Sequence, residues 1–124
     1  EKKDYILKEF NKYTISQGST LKDAVTKIKL NKVRTIIVVN EDRVVGVISE
    51  GDILKAFMNG AHTSNLLDKF VNIEFNYANE KDLKKASKII LSENINLLPI
   101  VNKNMELVDV ITIYDIFEEF SDIE

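Results

Sequence analysis

The chain repeats itself once. Shifted by 62 residues, its two halves align. Leu21-Lys22-x-Ala24 falls on Leu83-Lys84-x-Ala86, Ile28 on Ile90, and Val38-Val39-Asn40 on Ile100-Val101-Asn102. One extra residue then enters the second loop, and the shift becomes 63. Val45-x-Val47-Ile48-Ser49 meets Val108-x-Val110-Ile111-Thr112, Asp52-Ile53 meets Asp115-Ile116, and Phe57 meets Phe120. Two copies are too few for a solenoid, which stacks three or more. Two small units that cannot bury their apolar faces alone are expected to pack on each other as a pseudo-twofold pair.

Each half has the same order of elements. Leu21, Ala24, Val25, Ile28 and Leu30 approach helical spacing, which predicts a helix over Thr20–Lys32 capped by Ser19 or Thr20. The β-branched run Thr35–Asn40 predicts a buried strand. Glu41-Asp42 turns the chain into a second strand, Arg43–Ser49, completing a hairpin. Asp52–Asn59 returns to helical spacing, and Gly60 is placed to stop it. The second half reads as helix Glu80–Glu93, strand Leu97–Asn102, turn Lys103-Asn104-Met105, strand Glu106–Thr112 and helix Ile113–Phe120. Short strands are expected ahead of each copy, at Tyr13-Thr14-Ile15 and at Ile73-Glu74-Phe75. Gly60–Asn65 is the linker-like stretch. Tyr5, Phe10, Phe70, Phe75 and Tyr77 lead into the copies and read as core or dimer contacts.

Composition excludes several functions. The 124 residues suit one compact domain or two very small ones, and 44% hydrophobic content supports a packed core. The absence of Cys removes disulfide scaffolds, zinc ribbons and thiol nucleophiles, and fits a reducing, cytoplasmic setting. A single His, His62, removes His-cluster metal sites. The net charge is −3 with both signs interspersed, so no basic stripe awaits nucleic acid. The longest apolar run, around Thr35–Val39, is far short of the ~20 residues that span a bilayer. No signal-peptide core follows Glu1-Lys2-Lys3-Asp4, and a start without Met reads as a piece of something longer. Neither a GxxxxGK[ST] loop nor an HExxH motif is present, so an enzyme is not expected.

Two corners carry the chemistry. Ser49 and Thr112 each end a strand and begin a helix, with Asp52 and Asp115 three residues on. The hydroxyl sits where helix amides and the helix dipole favour an anion. The carboxylate accepts hydrogen bonds only, and a ribose diol is its natural partner. The same spacing is that of a capping box, with Asp in place of Glu or Gln.

The hairpin Ile37-Val38-Val39-Asn40 with Val45-Gly46-Val47-Ile48-Ser49-Glu50-Gly51-Asp52-Ile53, and its partner Leu98-Pro99-Ile100-Val101-Asn102 with Val108-Asp109-Val110-Ile111-Thr112-Ile113-Tyr114-Asp115-Ile116, resembles the CBS domain. Two in tandem resemble a Bateman module, over about Leu7 to Phe120. The resemblance implies an α+β fold of two pseudo-symmetric repeats. Each is β-α-β-β-α, a small sheet packed by two helices. Residues 1–62 form the first with its lead-in, and residues 63–124 the second. The family's Pro is Pro99 in the second copy but Ile37 in the first. Its hairpin Gly is Gly46 in the first but Asp109 in the second.

The resemblance also implies a function: a regulatory module that senses an adenosyl nucleotide in the cleft between repeats and controls an attached or partner effector. AMP, ADP or ATP would be the ligand, with S-adenosylmethionine an outside choice, and no cofactor is required. Ser49, Asp52, Thr112 and Asp115 would hold phosphate and ribose. Thr14, Ile15, Ile36, Ile37, Leu98 and Pro99 would hold adenine. The alternative is a ligand-free module that forms a homodimer through helix faces bearing Leu54, Phe57, Met58, Phe117 and Phe120. The stretch from Glu50 to Gly60 resembles repeats attached to sugar-nucleotide transferases or sugar-phosphate isomerases, although Leu54-Lys55 stands where those carry two Arg. Arg34, ahead of the first strand, and Lys55, one helical turn after Asp52, could reach a phosphate but read more readily as solvated surface residues, and His62 reads as a surface residue.

Overall fold

The computed structural model describes residues 10–121. A single turn of 3-10 helix, Asn11–Tyr13, leads into β1 (Thr14–Ser16), α1 (Leu21–Asn31), β2 (Thr35–Asn40), β3 (Arg43–Ser49) and α2 (Glu50–Met58). A second 3-10 turn, Leu67–Phe70, starts the passage to α3 (Leu83–Glu93), β4 (Leu97–Val101), β5 (Leu107–Thr112) and α4 (Ile113–Phe120). β1 runs parallel to β2, and β2 pairs antiparallel with β3 from Thr35↔Ser49 to Asn40↔Arg43. β4 and β5 form a separate two-stranded sheet, from Leu97↔Thr112 to Val101↔Leu107. Both hairpins bulge at equivalent points, Val38/Val39 and Ile100/Val101. The architecture is α+β, as the sequence implied.

Alternation of side chains along the strands explains the cores. On β2, Ile36 and Val38 face a core with Leu21, Ala24 and Ile28 of α1 and Ile53 of α2. Ile37 and Val39 face the other way, into a core shared with Leu97, Val101, Leu107 and Val110 of the second copy. Leu98 and Ile100 of β4 turn outward to Ala86 and Ile90 of α3. A strand buried on both faces reads as an unbroken apolar run, which is the pattern at Thr35–Asn40. Phe10 and Phe75 join the shared core and Phe70 the first one, while Tyr77 is exposed. Tyr5 lies outside the described residues.

Backbone bonds join the copies at the hairpin turns. The Val44 N–H donates to the Met105 carbonyl at 2.8 Å, and the Leu107 N–H to the Asp42 carbonyl at 2.9 Å. The linker is likewise pinned. Leu21 and Lys22 N–H donate to the carbonyls of Asn65 and Thr63, which satisfies amides that the first turn of α1 would otherwise leave unpaired.

Some expectations need correcting. No strand forms at Ile73-Glu74-Phe75. The lead-in of the second copy touches its sheet at one parallel bridge, Ala78↔Ile100. The Ala78 N–H donates to the Pro99 carbonyl and the Val101 N–H to the Ala78 carbonyl. Pro99 lies two residues before Val101, on the same side of β4, and has no N–H to extend that ladder. The proline itself lies inside β4. The helix expected from Glu80 begins at Leu83, capped by Asp82, and the one expected from Asp52 begins at Glu50, capped by Ser49. No helix among the described residues is long and apolar enough to cross a membrane.

Candidate functional site: the corner where β3 meets α2

Ser49 caps α2. Its Oγ accepts the Asp52 N–H at 3.1 Å, and its own N–H donates to Asp52 Oδ2 at 2.9 Å. Thr112 and Asp115 repeat the exchange on α4 at 3.3 and 2.8 Å. Thr20 and Asp23 repeat it again on α1, at 3.2 Å both ways. The capping-box reading is therefore realised at three places, and a capping box does not by itself make a site. What separates the corners is what each has left over.

At the first corner much is left. The Ser49 hydroxyl accepts one bond and donates none, and Asp52 Oδ1 has no partner among the described residues. Gly51, in the first turn, carries no side chain over its amide. The corner opens into a cavity of about 440 Å³, a size that suits a small-molecule ligand. Arg34, Thr35, Val47 and Ser49 to Asp52 line one side, and Asn72, Phe75, Asn76 and Asn94 to Leu97 the other. Both copies thus contribute.

At the second corner the hydroxyl is spent, though Asp115 Oδ1, like Asp52 Oδ1, has no partner among the described residues. The Thr112 hydroxyl also lies 3.3 Å from Asp115 Oδ2, its one acceptor, and Thr112 is buried. Tyr114 occupies the position equivalent to Gly51, with its ring against Phe117. Asp115 is exposed and lines a different cavity of about 430 Å³, with Lys12, Tyr13, Lys81 and Asp109. Asp109 Oδ1 accepts the Val110 N–H, and its Oδ2 pairs with Lys81 at 3.3 Å. At the equivalent Gly46, the backbone of Val71-Asn72 passes overhead and exchanges two hydrogen bonds with Val47, at 2.8 and 3.1 Å. A side chain at that position forecloses the same approach.

The structure therefore places Asp52 and Asp115 in separate cavities. It buries Thr14, Ile15, Ile36, Ile37, Leu98 and Pro99, and none lines either cavity.

Sequence reasoning weighed Arg34 between a phosphate contact and a solvated surface residue, and passed over Asn94 and Asn96. Arg34 adopts a left-handed backbone (φ 64°), its carbonyl accepts the Glu50 N–H at 2.9 Å, and its Nε and Nη2 reach Glu50 Oε1 at 2.7 and 2.6 Å. Both side chains are more than half exposed, so the pair adds only about 0–1 kcal/mol to stability. Asn94 and Asn96 stand across the cavity, at the end of α3. The repeat itself held the signal. Lys32 and Asn94 end their helices in the same left-handed conformation, and the Asn96 carbonyl accepts the Ile113 N–H as Arg34 accepts Glu50. Arg34, Glu50 and Gly51 also border an apolar groove between α1 and α2, with Val25, Ile28, Ile53, Leu54 and Phe57. Among the described residues no group of His, Cys, Asp or Glu is arranged to hold a metal ion.

Comparison with known proteins bears on the family and the fold. The family model for the CBS domain matches residues 4–59 and 78–122. A Methanocaldococcus jannaschii protein is 28% identical over 95% of this chain, and the chain spans 46% of that relative's length. A solved structure described as a CBS domain protein from Pyrobaculum aerophilum complexed with AMP is 25% identical, with a TM-score of 0.70 over 89% of this chain and 91% of that one. The cytosolic domain of the Mg2+ channel MgtE, solved in complex with ATP, shares the fold at 20% identity, with a TM-score of 0.68 over 88% of this chain and 45% of that one.

Proposed function

The chain belongs to the CBS domain family and carries two copies, and from that premise we propose that it is a regulatory module binding one adenosyl nucleotide at the Asp52 corner. Residues 1–62 and 63–124 are taken as the two repeats of one Bateman module. One observation carries the reading: a polar cavity built by both copies converges on a corner with an unspent hydroxyl, an unspent carboxylate oxygen and an open helix terminus. In this reading Asp52 Oδ1 takes a ribose hydroxyl, while Ser49 Oγ and the Gly51 amide take a phosphate. The AMP complex of the Pyrobaculum relative supports the ligand class. The six buried apolar and hydroxyl positions, Thr14 through Pro99, can meet a base only through backbone groups. Binding would shift the relative arrangement of the copies and so bias an effector, by no more than the ligand's differential affinity for the two arrangements. The role is binding and regulation rather than turnover, in a cytoplasmic setting.

Calorimetric titration with AMP, S-adenosylmethionine and GTP tests this, on the wild type, Asp52→Asn and Asp115→Asn. The expected result is saturable AMP binding at one site per chain. Asp52→Asn weakens it about tenfold or more, through a lost charge-assisted bond, and Asp115→Asn leaves it unchanged. Equal affinity in Asp52→Asn and wild type overturns the assignment.

A second reading, a homodimerisation module, rests on exposed Leu54 and Met58 of α2 and Tyr114, Phe117 and Phe120 of α4. Such apolar faces favour a protein partner. It is compatible with the first reading, and sedimentation of wild type against Leu54→Glu tests it.

A further inference from the structure

The Asp52 cavity is poor in positive charge. Among the described residues that line it, Arg34 is the one cation, set against Glu50 and Asp52. That cation is already engaged, with two guanidinium nitrogens on one Glu50 oxygen. The other lining polar groups are neutral hydroxyls and amides, including Ser49, Asn72, Asn94 and Asn96. At the mouth of α2 the Glu50 amide is spent on the Arg34 carbonyl and the Asp52 amide on Ser49, which leaves Gly51 to face an anion.

We infer that the Arg34–Glu50 ion pair limits the number of phosphates the cleft accepts, admitting a nucleoside monophosphate and selecting against the triphosphate. The inference rests on the adenosyl reading above and deepens it. A single phosphate is served by Ser49 Oγ, the Gly51 amide and the Arg34 donors that Glu50 leaves unused, since a guanidinium carries five N–H groups. Within the cavity further phosphates find no second cation among the described lining residues, the next one, Lys29, lying in the adjoining groove beyond Arg34 and Glu50, and they bring their charge against the Glu50 carboxylate. Discrimination of this kind works by an unfavourable element facing the wrong ligand as much as by attraction to the right one.

The test is calorimetry at fixed ionic strength, without Mg2+, using adenosine, AMP and ATP on the wild type, Glu50→Gln and Arg34→Gln. Both side chains are exposed, and circular dichroism confirms the fold of each variant. The wild type is expected to bind AMP about tenfold more tightly than ATP, the scale of one charge-assisted hydrogen bond. Glu50→Gln frees Arg34 and removes the opposing charge, so the ratio narrows to about threefold or less. Arg34→Gln brings AMP down towards adenosine and leaves adenosine itself unchanged. ATP binding as tightly as AMP in the wild type, or an AMP-to-ATP ratio untouched by Glu50→Gln, overturns this inference and leaves the adenosyl reading standing. Failure of all three ligands to bind the wild type overturns both.

Discussion

Gly46 lies beneath the backbone of Asn72. A Cβ on Gly46 would stand 2.6 Å from the Asn72 carbonyl oxygen and 2.3 Å from Val71 Cγ1. The second copy has Asp109 at the matching position, and its carboxylate turns instead to the Val110 amide and Lys81. This difference, together with Tyr114 in place of Gly51, accompanies the different fates of the two corners.

Gly46→Asp, which gives the first copy the residue of the second, is expected to push Val71-Asn72 off β3. The clash is with backbone as well as with a side chain, so the fold should lose about 1–3 kcal/mol, the range for overpacking. Urea denaturation measures it. A midpoint equal to wild type would show that the Val71-Asn72 segment moves away at no cost.

Thr20→Ala and Ser49→Ala each delete the hydroxyl of a capping box. Each should lower stability by about 1 kcal/mol. Only Ser49→Ala should also weaken AMP, because Thr20 lies outside the cavity. Thermal melts and calorimetry on the same pair of variants separate the structural role of a cap from the binding role.

Ile37 is fully buried in the core that both copies share. Ile37→Ala should cost about 2–5 kcal/mol. The loss should appear as one cooperative transition, since the packing it removes belongs to both halves. Residues 1–62 expressed alone should lack a stable fold, and a sharp thermal transition in that half would contradict the shared-core account.

Lys27 is half-buried, and its Nζ donates to the carbonyls of Asn11 and Thr14 at 2.8 Å and to Asn11 Oδ1 at 3.1 Å. Burial lowers its pKa below the ordinary 10.5, because no carboxylate among these partners offsets the lost hydration. With the folded value below the unfolded one, the unfolded chain holds more protons between the two. The stability of wild type relative to Lys27→Met should therefore rise with pH as that window is crossed, and level off above 10.5. Denaturant titrations of both proteins at pH 8 and above check the sign.

Much of this fold was legible because the repeat imposed the same pattern twice. The hairpins, the helix α1 and the Ser49 and Thr112 caps follow from alternation, helical spacing and capping chemistry at matched offsets. The second lead-in was misread because Ile73 and Phe75 alternate like a strand while the obstacle, Pro99, sits on the strand that would receive it. The buried positions Ile36, Ile37, Leu98 and Pro99 show a different limit. An apolar strand residue looks the same whether it walls a cleft or fills a core, and only the placement of the opposite copy decides. Asn94 hid in a left-handed loop conformation, which leaves little trace in hydrophobic periodicity, whereas Arg34 was visible as a cation whose partner, Glu50, only the fold reveals.

The crossed hydrogen bonds between the hairpin turns, Val44 to Met105 and Leu107 to Asp42, have a mechanical consequence. The turns lie at one end of the hairpins, and Ser49 and Thr112 at the other. Were the copies to rotate about the stitched end, each hairpin would be a lever arm of roughly 20 Å, at about 3.3 Å per residue. A rotation of a few degrees at the pivot would shift the far ends by about 1 Å, enough to make or break a hydrogen bond whose useful range is narrower than that. Small torques at the turns would thereby be geared up at the corners, with no bond in either hairpin broken.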